Sequence, residues 1–320
     1  MTEVGTSFTR WRAEALGLDY QKAFARLARM GFGLIRLSAS WREVQQFGFR
    51  HLDSLLAEAA AARQPVAVTV GMKALGWPEF YLPEGMEPDD RAAQVAAIEH
   101  VKDVVRRFAQ HRTVRAWQIE NEPFNRSGPR AQAVPRALVR LEANAVRAID
   151  SSRPLIVTTF AHFNESLDRS SSRHQSASKR RLGLAIPAER EALAILHQGD
   201  ILGLDVYRAI GWIDATGEED VAHAMADQLG SVRRWQRIAR DQGKHLWVTE
   251  AQAEPWEARR RSHADPVTVA PEDAARLVEA LAGAGVEMVM LWGSEYWLWR
   301  EENGDPRWLE SVSMGLRALA

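Results

Sequence analysis

Two patterns of hydrophobic and polar positions alternate along most of the chain. The first is a short, nearly continuous apolar run, which predicts a strand covered on both faces. Such runs predict strands at 4–8, 33–40, 65–71, 114–120, 154–160, 200–207, 245–250 and 286–293. The second is an amphipathic stretch with helical spacing. It predicts helices at 19–30, 51–63, 88–110, 133–149, 187–198, 219–242, 272–284 and 306–319.

A strand followed by a helix, repeated eight times, predicts a parallel sheet of the α/β class. Eight such units in 320 residues, with no linker rich in Gly, Pro or Ser, favour a closed (β/α)8 TIM barrel. The whole chain, 1–320, is therefore predicted to form a single domain. No G-x-G-x-x-G follows the first strand, which argues against a dinucleotide-binding fold.

The segment 164–183 is rich in Ser and Arg and follows neither period. This composition predicts a mobile surface insertion after the fifth strand. A basic lid over the mouth of the barrel is the alternative, because the segment follows a strand and so lies at the face where the strands end.

Composition and charge narrow the function classes. The net charge of −1 gives no overall field that would recruit nucleic acid or an anionic membrane. No apolar run approaches the roughly 20 residues of a membrane helix, and no signal-peptide pattern begins the chain. We expect a cytoplasmic protein, although a secreted protein without its signal would have the same sequence. The absence of cysteine excludes a thiol nucleophile and thiolate metal sites.

Polar and aromatic residues finish many of the predicted strands. Since the active site of a (β/α)8 barrel lies at the carboxyl ends of its strands, these residues are candidates for a common site. They are Arg36, Glu120, Asn121, Glu122, Asp205, Tyr207, Glu250 and Trp292. A single residue of this kind is usually a cap, an ion-pair partner or packing. Their occurrence at the same end of so many strands favours function instead.

Two carboxylates on opposing strands are what cleavage of a glycosidic bond requires. One must be protonated to deliver a proton to the departing oxygen, and the other must be ionised to attack or stabilise the sugar cation. Burial and a nearby negative charge raise the pKa of the acid, whereas Arg and hydroxyl donors keep the nucleophile charged. An aromatic platform and an amide suit the sugar ring, so the residues predict a glycoside hydrolase.

Two motifs carry a resemblance to a known group. "IENEP" (119–123) and "VTE" (248–250) resemble the catalytic signatures of clan A glycoside hydrolases, which are retaining (β/α)8 enzymes, and the cellulase-like families in particular. The resemblance covers essentially the whole chain. The separation of Glu122 and Glu250, 250 − 122 = 128 residues, fits three intervening strand–helix units.

The resemblance implies a role for each matching residue. Glu122 is the expected general acid/base and Glu250 the expected nucleophile. Asn121 is expected to bind the 2-hydroxyl of the sugar, while Arg36 and Tyr207 hydrogen-bond Glu250.

Trp292 is the platform that the resemblance implies under the reacting sugar, and a non-proline cis peptide is expected at Trp292–Gly293. Two departures from the pattern put the specificity of the reacting subsite in question. Many members of the clan have a histidine after the third strand, where this chain has Met72 and Lys73. Many also have a histidine two residues before the tyrosine of the sixth strand, where this chain has Asp205.

The remaining candidates concern substrate contacts and support. Trp77 and Trp256 follow the third and seventh strands, and either sugar stacking or loop packing accounts for them. Packing is favoured for Trp299. Glu120 is interpreted as a supporting residue, paired to an arginine inside the barrel.

The sequence thus predicts a retaining β-glycoside hydrolase that acts by double displacement on a β-linked oligosaccharide or glycoside. One alternative is a catalytically inactive carbohydrate-binding barrel, but both glutamates are intact. The other is a metal-dependent hydrolase, but of nine histidines only His162 lies just past a strand end. Carbohydrate is the expected partner, and no metal or cofactor is expected.

Overall fold

The computed structural model describes residues 2–164, 186–213, 216–258 and 262–318. Its strands are β1 Glu3–Ser7, β2 Ile35–Ser38, β3 Val66–Val70, β4 Val114–Ile119, β5 Leu155–Thr159, β6 Ile201–Val206, β7 Ala209–Ile213, β8 Glu219–His223, β9 His245–Gln252 and β10 Met288–Trp292. Eight of them close into a parallel barrel in the order β1-β10-β9-β6-β5-β4-β3-β2. The predicted (β/α)8 barrel and all eight of its strands are confirmed.

Helices cover the outside of the barrel. They are α1 Arg10–Ala15, α2 Tyr20–Leu27, α3 Trp41–Phe47, α4 Arg50–Ala62, α5 Arg91–Phe108, α6 Arg136–Ile149, α7 Ala188–Leu193, α8 Gln228–Asp241, α9 Asp273–Gly283, α10 Ser294–Glu302 and α11 Arg307–Ala318. None of the described helices is both long enough and apolar enough to cross a membrane.

One predicted helix, 219–242, was wrong over its first part. Residues Glu219–His223 form β8, which pairs antiparallel with β7, and the helix begins only at Gln228. The reason is tertiary: the Gly211 N–H of β7 donates to Trp256 O at 2.7 Å, so the loop after β9 fixes this hairpin. The predicted insertion at 164–183 lies outside the described residues except for Asn164.

The barrel interior changes character along the strands, because alternate residues of a strand point to the same face. Its lower layer is an apolar cluster made of Leu34, Ala67, Ala116, Ile156, Ile201, Met288 and Met290. Two residues further along β2 and β4 stand Arg36 and Gln118, both fully buried. The floor of the barrel is therefore apolar, and its carboxyl end carries buried polar and charged groups.

Pairing between β6 and β9 shifts register after Leu204. The shift places Asp205 directly opposite Glu250 in the ladder. Two carboxylates on adjacent strands therefore lie side by side at the mouth of the barrel.

Candidate active site

Three carboxylates from separate strand ends meet in the barrel mouth. Glu122 follows β4, Asp205 is in β6 and Glu250 is in β9, and all three are at most 4% exposed. One oxygen of each lies within 4.8 Å of one oxygen of the others. The two glutamates that the sequence predicts as a pair are thus brought together, and Asp205 joins them.

Both carboxylate oxygens of Glu250 accept hydrogen bonds. Arg36 Nη2 donates to Oε1 and Tyr207 Oη donates to Oε2, each at 2.7 Å. Burial raises the pKa of Tyr207 well above its ordinary value, and the charge of Glu250 adds to the rise, so the phenol stays a neutral donor. The negative charge of Glu250 therefore lies between a guanidinium and a hydroxyl.

Arg36 is the central donor of the site and is fully buried. Besides Glu250, it donates to Ser7 Oγ and Gln118 Oε1 at 3.0 Å and to Asn121 Oδ1 at 3.4 Å. Together with Glu250, these acceptors come from the ends of three strands, β1, β4 and β9. The guanidinium is held by its planar fork of donors, so its orientation toward Glu250 is fixed.

Asn121 presents a fixed amide beside the carboxylates. Its Oδ1 accepts from Gln118 Nε2 at 3.1 Å and from Arg36, and its backbone N–H donates to Lys73 O at 3.0 Å. Its Nδ2 donates to none of the described residues. The amide nitrogen is the group that remains for a ligand.

The backbone at Glu122 is in the left-handed region, with φ of 45°. Such a conformation costs a non-glycine residue about 1–3 kcal/mol, so the surroundings must hold it. The Glu122 N–H donates to Thr158 Oγ1 at 2.8 Å, and Lys73 Nζ donates to Glu122 O at 2.9 Å. The acid/base candidate is thus fixed through its backbone from both neighbouring strands.

Lys73 is fully buried, which the sequence did not indicate. Its ammonium also donates to Ser127 Oγ at 2.7 Å and to Asn125 O at 3.3 Å, and it lies 3.0 Å from Glu79. It therefore ties the loop after β3 to the loop that carries Glu122.

The predicted arginine partner of Glu120 was wrong. Glu120 accepts from the backbone N–H of Met72 at 2.9 Å and from that of Lys73, and its carboxyl meets the carboxyl of Glu142 on α6. Burial raises the pKa of Glu120 to about 7, and burial together with the charge of Glu120 raises the pKa of Glu142 well above its ordinary value. Gly71, with φ of 118°, leaves room for this carboxyl, since a Cβ there would lie 2.3 Å from Glu120 Cδ.

Asp205 has one satisfied oxygen and one unsatisfied oxygen. Thr249 Oγ1 donates to Oδ1 at 2.8 Å, whereas Oδ2 receives no N–H or O–H from the described residues. One oxygen of Asp205 lies within 4.8 Å of one oxygen of Glu122. Burial raises the pKa of Asp205 well above its ordinary value, and the charges of Glu250 and then Glu122 raise it further.

Trp292 ends β10 and is partly buried, with the Arg12 guanidinium 5.6 Å from its ring centroid. Arg12 is itself paired with Glu254 after β9. The cis peptide expected at Trp292–Gly293 was wrong: Trp77–Pro78 is the one cis bond among the described residues. Gly293 turns the chain with φ of 131° instead, a value that glycine adopts without strain.

The other aromatic candidates differ in exposure. Trp77 is 61% exposed at the mouth side of β3. Trp256 is partly buried and packs edge-on against Tyr207, with ring centroids 5.0 Å apart. Trp299 packs on Tyr296 at 5.7 Å, as the packing interpretation expects. Trp77 is thus free to meet a ligand, whereas Trp256 supports a residue of the site.

The carboxylate group is close enough to hold a cation, yet its surroundings do not suit one. Both oxygens of Glu250 already have donors, and the positive charge of Arg36 lies 2.7 Å from one of them. Among the described residues, no histidine belongs to this group. The donor set fits a carboxylate cluster neutralised by arginine better than a metal centre.

Comparison with known proteins gives structural likeness only. The chain matches no protein-family model and no curated protein sequence. It is similar to native xylanase 10B from Thermotoga maritima, with a TM-score of 0.58, 14% identity, and coverage of 99% of this chain and 95% of that one.

Two further solved structures are similar to the chain. A GH5_18 enzyme from Streptomyces cattleya, in complex with Manβ1-4GlcNAc, has a TM-score of 0.62 and 13% identity over 100% of this chain and 81% of that one. An exo-β-1,4-mannosidase from Opitutaceae bacterium strain TAV5 has a TM-score of 0.60 and 12% identity over 99% of this chain and 59% of that one. The chain therefore has the (β/α)8-barrel fold found in GH10 and GH5 glycoside hydrolases.

Proposed function

We propose that this protein is a retaining β-glycoside hydrolase acting by double displacement, with Glu122 as general acid/base and Glu250 as nucleophile. The observation that carries the proposal is the distance within the pair, whose oxygens lie within 4.8 Å of each other. Retaining pairs stand about 5–5.5 Å apart, whereas inverting pairs stand about 6.5–9.5 Å apart to admit a water molecule. The spacing supports direct attack by one carboxylate.

In the first step, Glu122 gives its proton to the glycosidic oxygen while Glu250 attacks the anomeric carbon. The bond from that carbon to the leaving oxygen breaks, and an ester bond to Glu250 forms. Arg36 and Tyr207 hold the attacking carboxylate in place through hydrogen bonds of 2.7 Å. In this proposal, the Asn121 amide hydrogen-bonds a hydroxyl of the same sugar.

In the second step, Glu122 is ionised and accepts a proton from water. The water oxygen bonds to the anomeric carbon, and the bond between that carbon and Glu250 breaks. The sugar leaves with its original anomeric configuration, and both carboxyls return to their starting states. The buried site excludes bulk water, which strengthens each of these electrostatic interactions.

The substrate we propose is a β-linked oligosaccharide or glycoside of neutral sugars. Two of the similar structures are a xylanase and an exo-β-1,4-mannosidase, and a third was solved with a β-linked disaccharide. Trp292 provides a partly buried aromatic ring at the carboxyl end of β10, and exposed Trp77 provides a second aromatic surface after β3. Aromatic faces suit the apolar face of a pyranose ring.

A panel of aryl β-glycosides and β-linked oligosaccharides tests the proposal. We expect Glu250→Gln to lower kcat by at least about 10⁴-fold on every substrate that the wild type cleaves, because the amide is not a nucleophile that can form the ester. Proton NMR of the first product should show the retained anomer. Near-normal turnover by the Glu250 variant, or an inverted first product, would sink the assignment.

Two further measurements separate the alternatives. Full activity after dialysis against a chelator excludes metal-dependent hydrolysis. A 2-fluoro-substituted aryl glycoside should leave a sugar covalently attached to Glu250, detectable by peptide mass spectrometry. Binding without cleavage across the whole panel would instead indicate a carbohydrate-binding barrel.

A further inference from the structure

We propose that three buried amide side chains, those of Asn164, Gln228 and Gln252, are positioning residues that hold the Tyr207 phenol against Glu250. Together they are called the amide cluster. Their task rests on the proposed function and goes beyond it, because these residues act through Tyr207 rather than on the sugar.

Tyr207 lies where the chain leaves the barrel. β6 ends at Val206, the last residue of that strand to pair with β9, and β7 begins at Ala209 in a separate two-stranded sheet. Tyr207 and Arg208 form the link between the two sheets and belong to neither. Backbone N–H and C=O groups that leave a sheet inside the protein need other partners. The partners of this link must therefore come from side chains or loops.

Asn164 and Gln228 hold the two backbone groups of Tyr207. The Tyr207 N–H donates to Asn164 Oδ1 at 3.2 Å, and Gln228 Nε2 donates to the Tyr207 carbonyl at 2.8 Å. Asn164 Nδ2 also donates to the carbonyl oxygens of Phe160 and Asp205, which lie at the ends of β5 and β6. Gln228 is the first residue of α8 and also donates to Asn164 Oδ1 at 3.4 Å. The backbone of Tyr207 is thus tied to β5 and to α8.

Gln252 ties the rest of the link to the strand of the proposed nucleophile. It ends β9, two residues after Glu250. Its Oε1 accepts the N–H groups of Arg208 at 2.6 Å and Ala209 at 3.0 Å, and its Nε2 donates to the Ala209 carbonyl at 2.7 Å. The link that carries Tyr207 and the strand that carries Glu250 therefore keep a fixed separation.

The packing of the Tyr207 ring lets its backbone decide where the hydroxyl lies. The ring centroids of Phe160 and Trp256 lie 5.7 Å and 5.0 Å from that of Tyr207. A ring confined in this way follows a displacement of its own Cα. The hydroxyl donates to Glu250 Oε2 at 2.7 Å, and a misplacement of about 1 Å in a catalytic group can cost about 10²-fold in rate.

The burial of the amide cluster makes each of its hydrogen bonds necessary. Asn164 is fully buried, and Gln228 and Gln252 are each 1% exposed. All three use both the oxygen and the nitrogen of the amide, since Gln228 Oε1 accepts from Arg208 Nη1 at 3.3 Å. Water does not replace a partner lost at such a position. An apolar side chain there leaves part of the link unsatisfied, and the link must shift to find new partners.

Gln252→Met tests the proposal by removing three hydrogen bonds from the link at nearly constant side-chain volume. We expect kcat to fall about 10- to 100-fold with KM within about twofold of wild type, because the phenol moves away from Glu250. The same substitution in a Tyr207→Phe protein should lower kcat by less than about threefold, since the hydroxyl through which it acts is already gone. Equal losses in the two backgrounds would overturn the proposal in favour of a purely structural role.

Gln64→Met is the matched control. Gln64 is also a buried amide, 3% exposed, and its Nε2 donates to the carbonyls of Phe32 and Pro65 at 3.0 Å and 2.9 Å. It lies just before β3, at the end of the barrel opposite the carboxylates. The control should lose stability and keep the wild-type kcat. A loss of kcat as large as that of Gln252→Met would contradict a specific role for the amide cluster.

Fluorine NMR gives a second readout that needs no substrate. The chain has four tyrosines, so protein labelled with 3-fluorotyrosine gives four resonances, and the one missing from Tyr207→Phe belongs to Tyr207. Gln252→Met, and Gln228→Met as a second variant, should each move that resonance and leave the other three in place. A Tyr207 resonance that stays in place in both variants overturns the proposal. A wild type without turnover on the whole glycoside panel would overturn the proposed function instead, and the spectra would still decide the role of the amide cluster.

Discussion

At the residue scale, Lys73 shows how a buried cation can fix a catalytic backbone. The residue is fully buried, and its ammonium donates to the carbonyl of Glu122 and to the Ser127 hydroxyl. It also pairs with Glu79 at 3.0 Å. A buried charge of this kind is costly by itself, so each of its partners is needed.

Lys73→Met should therefore cost stability as well as turnover. We expect the free energy of unfolding in urea to fall by about 3–5 kcal/mol, because the change removes the buried cation that pairs with Glu79 and one donor from each of two carbonyls. We also expect kcat to fall more than KM rises, since the left-handed backbone at Glu122 loses its anchor.

Two further variants serve as controls for Lys73→Met. The double variant Lys73→Met with Glu79→Gln should recover part of the lost stability, because it also removes the carboxylate charge that pairs with Lys73. Lys102→Met changes a surface lysine paired with Glu99 and should leave both stability and kcat unchanged. Unaltered kcat in a folded Lys73→Met protein would show that Lys73 does not position Glu122.

The residue scale also shows what the sequence could and could not predict. Glu122 and Glu250 were predicted because each ends an apolar strand in a motif with its own chemistry. The position of Asp205 beside Glu250 could not be predicted, because it depends on a one-residue register shift between β6 and β9 that no local pattern records. The burial of Lys73 was also invisible, since a lysine after a strand is usually solvated.

At the element scale, a pair of buried carboxyls joins the end of β4 to α6. Glu142 occupies an apolar position of that helix, four residues after Leu138 and three after Val139. It meets Glu120, which in turn accepts the backbone N–H groups of Met72 and Lys73 after β3. A carboxylate on the apolar face of a predicted helix is a readable signal of a buried polar network.

This pair makes stability depend on pH in a defined direction. The pKa of Glu120 rises from the ordinary 4.5 to about 7 through burial, and that of Glu142 rises as well. The folded state then binds more protons than the unfolded state above pH 4.5. The stabilising effect of the Glu120–Glu142 pair is complete below that pH, and it is lost as the pH rises through the pKa values of the folded state.

Glu142→Gln should remove the loss of stability that accompanies rising pH. The amide donates to Glu120 at every pH, so we expect the decline in the free energy of unfolding between about pH 5 and pH 8, on the order of 1–3 kcal/mol in the wild type, to flatten. Glu310→Gln, at an exposed position of α11, should keep the wild-type slope. Parallel slopes for wild type and Glu142→Gln would show that the pair does not share a proton.

A strand or helix could be predicted from the sequence when its own residues had a regular pattern of hydrophobic and polar positions. The barrel strands had such a pattern, because a strand that is buried on both faces is an unbroken apolar run. The β7–β8 hairpin had no such pattern, since β8 is mostly exposed and polar. Its position depends on the loop after β9, where a Cβ at Gly211 would lie 2.5 Å from the backbone nitrogen of Ala258. A contact of this kind has no local sequence pattern.

At the scale of the whole molecule, the barrel assembles one site from residues scattered between 36 and 292. Closure of β10 against β1 places Trp292 within reach of Arg12, and the parallel ladder places Arg36 beside Glu250. The fold thus brings charged groups from four strands, β2, β4, β6 and β9, into a single buried cluster. The chain as a whole carries nearly balanced charge, with a net charge of −1.

This division of charge has a kinetic consequence. The groups proposed to act on the substrate are at most 5% exposed, so dissolved salt screens their interactions only weakly. A neutral sugar substrate also gains nothing from electrostatic steering by a nearly uncharged surface. We therefore expect kcat/KM on a neutral glycoside to change by less than about twofold between about 0.05 M and 0.5 M salt. Comparing sodium chloride with choline chloride separates screening from specific ion binding. A tenfold decline in both salts would mean that exposed charges bind the substrate, and the search for its contacts would then move from the buried cluster to the rim of the barrel.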